Sequence, residues 1–173
     1  VRDRLFPWVL SGLEPGDDVL EVGPGPGVTT DLLRSWAPRL TAIEIDPDLG
    51  DRLRRRTAGT NVEVITGDAT SMPFPDRRFS AATSFTMLHH VPSTALQDRL
   101  LREVYRVLRP GAVFAGCDST SSLVFRLAHL FDTMVLVDPD GFAGRLQAAG
   151  FVDVQVERAN SAFRFRATRP GSR

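Results

Sequence analysis

A glycine-rich turn, two carboxylates at strand ends and a pair of histidines are the residues of this chain whose types and spacing can do chemistry. Gly23, Gly25 and Gly27 alternate with Pro24 and Pro26 directly after the apolar run Val19-Leu20-Glu21-Val22. The glycines admit φ > 0 and let a ligand approach bare backbone, while the prolines stiffen the turn. Glu44 closes a second apolar run. An anionic acceptor at that place suits the hydroxyls of a ribose, because charge-assisted hydrogen bonds are strong, and it repels a 2′-phosphate. Asp68, within Gly67-Asp68-Ala69, follows a third run. Its carboxylate can accept from the exocyclic amine of adenine, with Ala69 leaving room for the ring; an Asx turn is the ordinary alternative. His89 and His90 follow a fourth run, and either can titrate near neutrality as a general base must. The alternative for them is capping or packing under the helix that follows.

These groups need elements to hold them at one edge. The apolar, partly β-branched runs at residues 19–22, 40–45, 61–65, 79–84 and 112–117 read as buried strands. Helical spacing lies between them: Leu32, Leu33 and Trp36 after the turn, Leu49 and Leu53 behind the Asp46 cap, and Leu96, Leu100, Leu101, Val104, Val107 and Leu108 behind the Ser93 cap. Arg109-Pro110-Gly111 reads as the end of that last helix. Residues 1–13 read as an N-terminal helix, residues 119–140 as a short, mostly helical segment on the substrate side, and residues 140–149 as a final helix. Residues 151–156 and 162–167 read as two closing strands. Arg164, Arg166 and Arg169 alternate with Phe163 and Phe165 as on a surface edge strand. Alternating strands and helices predict a parallel sheet wound on both sides, in one domain spanning residues 1–173. Ligands bind at the carboxyl ends of such strands.

Composition removes several chemistries. All 21 basic residues are arginine, so no Schiff-base or P-loop lysine exists. They balance 21 acidic residues, which gives no electrostatic reason to expect a nucleic-acid or membrane partner. Arg52, Arg54, Arg55 and Arg56 read as a solvated helix face. Cys117 is the single cysteine, excluding an intrachain disulfide, and the three histidines lack zinc spacing, so no metal site is expected. The first residues carry Arg2, Asp3 and Arg4 without a long apolar run. They read as neither a signal peptide nor a membrane span, and a cytoplasmic location is expected.

Taken in order, the motifs resemble those of class I S-adenosylmethionine-dependent methyltransferases. Residues 19–27 resemble that family's first motif, Glu44 its ribose acid, and Asp68-Ala69 its adenine contact. Residues 79–90 resemble its fourth-strand motif, Leu108-Arg109-Pro110-Gly111 the turn before strand five, and residues 146–156 the entry to strand six. The resemblance implies a Rossmann-like, three-layer α/β/α fold with a seven-stranded, mostly parallel sheet whose last strand is antiparallel. It implies S-adenosylmethionine as donor and S-adenosylhomocysteine as product. The implied donor site comprises Glu21, Gly23, Pro24, Gly25, Gly27, Glu44, Ile45, Asp68, Ala69 and Ser84. Leu88-His89-His90-Val91-Pro92 resembles the branch that methylates small molecules, with His89 or His90 as base.

Departures from the family pattern are also visible. Ser80 stands where the family usually has Asp, which would loosen the local turn, and Ala112 replaces a second glycine. Ser84-Phe85-Thr86-Met87 is not the Asn-Pro-Pro-Tyr signature of nucleobase amine methylation, which argues against a DNA or RNA base as acceptor. Asp118 and Ser119 can touch the acceptor or cap the next helix; Met87, Phe125, Phe131 and Met134 can line its pocket or fill the core; His129 reads as structural. The expected partner is a small-molecule methyl acceptor, and the expected state a monomer or homodimer. Two other readings share the crevice: a non-catalytic donor-binding or scaffold protein, and a nicotinamide-dependent oxidoreductase. Val28, standing where a dinucleotide motif needs its third glycine, disfavours the second.

Overall fold

The computed structural model describes residues 5–120, 135–159 and 161–171. Apolar runs that alternate with helices have nowhere to go but the middle of a sheet. β1 (Val19–Val22) and β2 (Leu40–Glu44) are buried at every position. β3 (Val62–Thr66), at the sheet's edge, is only partly buried. β4 (Phe79–Phe85), β5 (Leu108–Ser119), β6 (Val152–Ala159) and β7 (Ala162–Thr168) complete one seven-stranded sheet in the order β3-β2-β1-β4-β5-β7-β6. β1 to β5 are parallel, and β7 runs antiparallel to both neighbours.

Helices cover both faces. α1 (Leu5–Leu10), α2 (Thr30–Trp36) and α3 (Pro47–Arg56) lie on one side, where Val9, Leu10 and Leu33 pack on Val19, Leu40, Ala81 and Phe85, and Leu53 packs on Ala42 and Val64. α4 (Thr94–Val107) and α5 (Pro139–Ala148) lie on the other, burying Leu100, Leu101, Val104, Val107, Phe142 and Leu146 against Leu20, Val22, Phe79, Phe114, Phe163 and Phe165. The expected caps are present: Asp46 accepts from the amides of Asp48 and Leu49, and Ser93 from that of Leu96. The expected doubly wound α/β architecture is thus the observed one.

Several expectations change. Arg109-Pro110-Gly111 is not a turn ahead of strand five but part of it: β5 starts at Leu108, directly after α4. Proline forces its predecessor out of the helical region, and Gly111, at φ +81, lets its amide reach the carbonyl of Arg169 at 2.8 Å. Ser119 belongs to β5 and residues 135–138 are not helical, so among its described residues the expected 119–140 segment is helical only at Pro139 and Asp140, which open α5. Residues 121–134, with Phe125, His129, Phe131 and Met134, lie outside the described residues. β7 is no edge strand; β6 takes that place. The β7 arginines are staples: Arg164 pairs with Glu157 and donates to the Trp8 carbonyl, and Arg166 donates to Gly12 at 2.7 Å. Arg169, just past the strand, donates to the carbonyls of Tyr105 and Arg106 at 2.7 and 2.8 Å.

Ser80 tightens its turn rather than loosening it. Its hydroxyl accepts from the Asp18 amide at 2.9 Å and lies 2.7 and 2.8 Å from the carbonyls of Pro15 and Asp18. Gly16 makes this possible, because a Cβ there would stand 2.4 Å from Ser80 Cβ. The sheet therefore enters β1 from a fixed turn, and all five parallel strands deliver their carboxyl ends to one edge.

Candidate active site

At that edge the β1 turn opens onto a crevice of roughly 700 Å³, within the size range of small-molecule sites. Gly23, Pro24, Gly25 and Pro26 form one wall; Glu44, Ile45, Asp68 and Ala69 another; Phe85, Thr86, Met87, His90 and Val91 a third. The ends of four strands, β1 to β4, thus bring most of the expected site residues together.

The turn owes its shape to residue type. Gly25 sits at φ +53, a region that side chains disfavour, and a Cβ built there meets no atom within 4 Å of the described residues. Its bare face is open crevice. Gly27, at φ +80, is glycine for the opposite reason: a Cβ there would stand 2.3 Å from Arg56 Nη2 and 2.5 Å from Leu53 Cδ1. The amide of Gly23 donates to the Ile43 carbonyl at 3.0 Å, which ties the turn to β2.

Glu44 points at the turn. Its Oε2 accepts from the Gly25 amide at 2.8 Å and its Oε1 from the Asp46 amide at 3.0 Å. Each carboxylate oxygen has further lone-pair capacity, so this buried but crevice-lining acid remains an acceptor for hydroxyls. Ile45 beside it is 68% exposed, an apolar lip on the crevice. Asp68 also lines the crevice, and it forms the Asx turn: Oδ1 accepts from the Thr70 amide at 2.7 Å and Oδ2 from the Thr70 hydroxyl at 2.9 Å.

Glu21 stands behind the turn, fully buried. The hydroxyls of Thr29 and Thr30 donate to its two oxygens at 2.5 and 2.6 Å, so Thr29 spends its side chain on β1 instead of capping α2. Burial pushes the Glu21 carboxyl up to about 7, and the two hydroxyls oppose that rise. Its part is to latch α2 to β1. Ser84 is buried at the end of β4, in register with Val22 and Gly116. Phe85, Thr86 and Met87 form the crevice wall just beyond it.

The two histidines separate. His89 is buried, its Nδ1 lying 2.5 Å from Oδ1 of the fully buried Asp118 and its amide donating to Asp118 Oδ2 at 3.3 Å. Its ring packs on His90 with centroids 4.2 Å apart. His90 is the one of the pair that lines the crevice. Asp118, read from sequence as touching the acceptor or capping a helix, instead holds His89 and accepts from the Ser119 amide at 2.6 Å.

Two features escaped sequence reading. Thr86, β-branched, sits at φ +51 on the crevice wall with its amide on the Cys117 carbonyl at 2.8 Å. Nothing in its type announces that conformation. Arg54 and Arg56 do not simply face water. Arg54 reaches the Val64 carbonyl and the Thr66 hydroxyl at 3.2 and 3.1 Å. Arg56 reaches the carbonyls of Pro26 and Gly27. The prolines, which leave carbonyls but no amide donors in the turn, were the available signal.

Comparison with known proteins places this geometry. A model of the methyltransferase domain family matches residues 20–116. Over 60 residues the chain is 50% identical to a probable ribosomal RNA small subunit methyltransferase A of Thermococcus onnurineus, covering 35% of this chain and 22% of that one. Over 106 residues it is 38% identical to a fatty-acid O-methyltransferase of Mycolicibacterium smegmatis, covering 60% and 38%. Its fold matches that of Haemonchus contortus phosphoethanolamine N-methyltransferase 2, solved with phosphomonomethylethanolamine and S-adenosylhomocysteine. That match has a TM-score of 0.80 at 16% identity, over 93% of this chain and 50% of the other. The chain belongs to the methyltransferase domain family, as a class I S-adenosylmethionine-dependent domain. It spans well under half the length of both sequence relatives.

Proposed function

We propose that this protein transfers the methyl group of S-adenosylmethionine to a small-molecule acceptor. The observation that carries the reading is the bare backbone at Gly25, with the Glu44 carboxylate bonded to its amide inside one crevice. The residues fit the donor: the turn leaves space where any side chain would fill it, Glu44 offers an anionic acceptor to ribose hydroxyls, and Ile45 and Ala69 flank room for a flat ring. Bound there, the donor supplies a sulfonium-activated methyl group. The protein's own task is alignment, worth roughly 7–11 kcal/mol when two reactants are held in attack geometry. His90, on the crevice wall, takes the proton of an acceptor that ionises poorly, and Asp118 keeps His89 in place behind it.

A small acceptor is favoured over a nucleobase by Ser84-Phe85-Thr86-Met87 at the end of β4 and by the apolar walls Phe85, Met87, Val91, Leu96 and Leu100. The fatty-acid O-methyltransferase relative is consistent with that, and the ribosomal RNA relative supplies the competing acceptor for the test. Calorimetry should show S-adenosylhomocysteine binding with micromolar Kd, about −8 kcal/mol. Labelled methyl should then pass to lipophilic acids or phenols and not to ribosomal RNA. Folded protein that gives no binding heat overturns the reading; transfer to RNA alone overturns the acceptor class.

A further inference from the structure

We propose that Arg56 is a positioning residue for the donor turn: its guanidinium clamps two consecutive carbonyls on the side of the turn away from the crevice. The inference rests on the donor reading above. Arg56 closes the last turn of α3, and its fork donates from Nη1 to the Pro26 carbonyl at 2.7 Å and from Nη2 to the Gly27 carbonyl at 2.9 Å. Nη2 also lies 3.2 Å from Asp31 Oδ2 in the first turn of α2. One planar cation therefore joins the turn, the helix it feeds and the helix that follows Glu44. Arginine suits this task where lysine does not, because five donors in a rigid fork can fix two acceptors at a set spacing.

The turn needs such a clamp. Gly23, Gly25 and Gly27 all sit at positive φ, and glycine pays the largest conformational entropy on ordering. Pro24 and Pro26 bring carbonyls without amide donors, so the local chain cannot satisfy itself. Inside the turn the Gly27 amide reaches the Pro24 carbonyl at 2.9 Å, and the Gly27 carbonyl takes the Asp31 amide at a longer 3.2 Å. Arg56 adds charge-assisted bonds to the Pro26 and Gly27 carbonyls. On the crevice side Glu44 holds the Gly25 amide. The turn is thus gripped from both sides, by a carboxylate on its donor-facing amide and a guanidinium on its rear carbonyls. The fit is mutual, since a Cβ at Gly27 would stand where Nη2 lies. Arg56 is 46% exposed and outside the crevice lining, so its removal leaves the turn's rear carbonyls to water and the core intact.

The test compares Arg56→Ala, Arg56→Lys and, as a control on the same helix, Arg55→Ala in the whole chain. Amide hydrogen exchange over residues 23–29 is read without ligand, S-adenosylhomocysteine affinity by calorimetry, and Tm by thermal melting. Arg56→Ala should speed exchange of the turn about tenfold and weaken S-adenosylhomocysteine binding about 10- to 100-fold, with a Tm near that of the unaltered protein. Arg56→Lys, which keeps the charge but not the fork, should recover part of the affinity at the same Tm, and Arg55→Ala should match the unaltered protein. Unchanged exchange in Arg56→Ala overturns the clamp. Faster exchange with unchanged affinity overturns its role in donor binding. If the unaltered protein itself binds no S-adenosylhomocysteine, the donor reading fails and takes the proposed role with it, while the exchange result still decides whether the clamp exists.

Discussion

The proposed donor and acceptor ends of the crevice are built in different ways. At the donor end each functional group sits within three residues of a strand terminus: Gly25 after β1, Glu44 closing β2, Asp68 after β3. Their positions follow from strand register, with Val22 beside Ile43 and Glu44 beside Thr66. At the acceptor end, His90 leaves a short 3₁₀ turn (Leu88–His90) whose place depends on distant partners. His89 rests on Asp118 of β5, the His89 carbonyl takes the Val135 amide at 3.0 Å, and Gln97 of α4 bridges the carbonyls of Leu88 and Val135 at 3.0 and 2.7 Å. Residue type at strand ends places the groups of the donor end, with Arg56 bracing the turn from behind; tertiary contact alone places those of the acceptor end. The donor end should therefore fail through sterics at single positions, and the acceptor end through its supports.

The sharpest way to break that comparison is Gly25→Leu. A leucine would project into open crevice, so S-adenosylhomocysteine binding should fall by about 10³-fold or more, beyond calorimetric detection near 4 kcal/mol of lost affinity. The φ of +53 adds a stability cost of about 1–2 kcal/mol. Gly25→Asn separates the two effects, since asparagine tolerates this backbone: its Tm should stay near that of the unaltered protein while binding still weakens. Unimpaired binding by the leucine variant would show that the donor does not lie against this turn.

Legibility follows the same division. Gly23-Pro24-Gly25-Pro26-Gly27, Glu44 and Asp68 were readable because a strand end and a residue type suffice to say where the group goes. The caps at Asp46 and Ser93 are local too. Arg56 was not readable, because its acceptors lie some 30 positions earlier, and a run of arginines on a helix carries no mark of the one that turns inward. Likewise no local signal tells His89 from His90; Asp118, 29 residues on, buries one and leaves the other at the crevice. The β7 arginines read as an edge because alternation cannot reveal that β6, earlier in sequence, lies outside β7.

At the acceptor end the next largest effect belongs to the histidines. With a hydroxyl acceptor, His90→Asn should lower labelled-methyl transfer by about 10²–10⁴-fold, the usual worth of a general base, and leave S-adenosylhomocysteine affinity within about twofold. His89→Asn should act through its support. Without the ring the buried Asp118 keeps the amides of residues 89 and 119 but loses its side-chain partner, a loss of about 1–3 kcal/mol seen as a lower Tm. Equal kinetic effects with no Tm difference would erase the distinction drawn between the two rings.

The smallest effect expected is also the one of opposite sign. Thr86 holds a β-branched side chain at φ +51 on the crevice wall, between β4 and the histidine turn. Such a conformation costs of order 1–2 kcal/mol and persists only where neighbours impose it, here the Cys117 carbonyl that takes the Thr86 amide. Thr86→Asn keeps the backbone and relieves most of that strain, so the protein should gain about 1 kcal/mol, a Tm rise of roughly 2–4 °C at this chain length. Turnover should fall several-fold at unchanged S-adenosylhomocysteine affinity, because the residue lines the acceptor wall and not the donor turn. A Tm that drops instead would mean the threonine is held without strain, and that the acceptor end, like the donor end, owes its shape to local residue type.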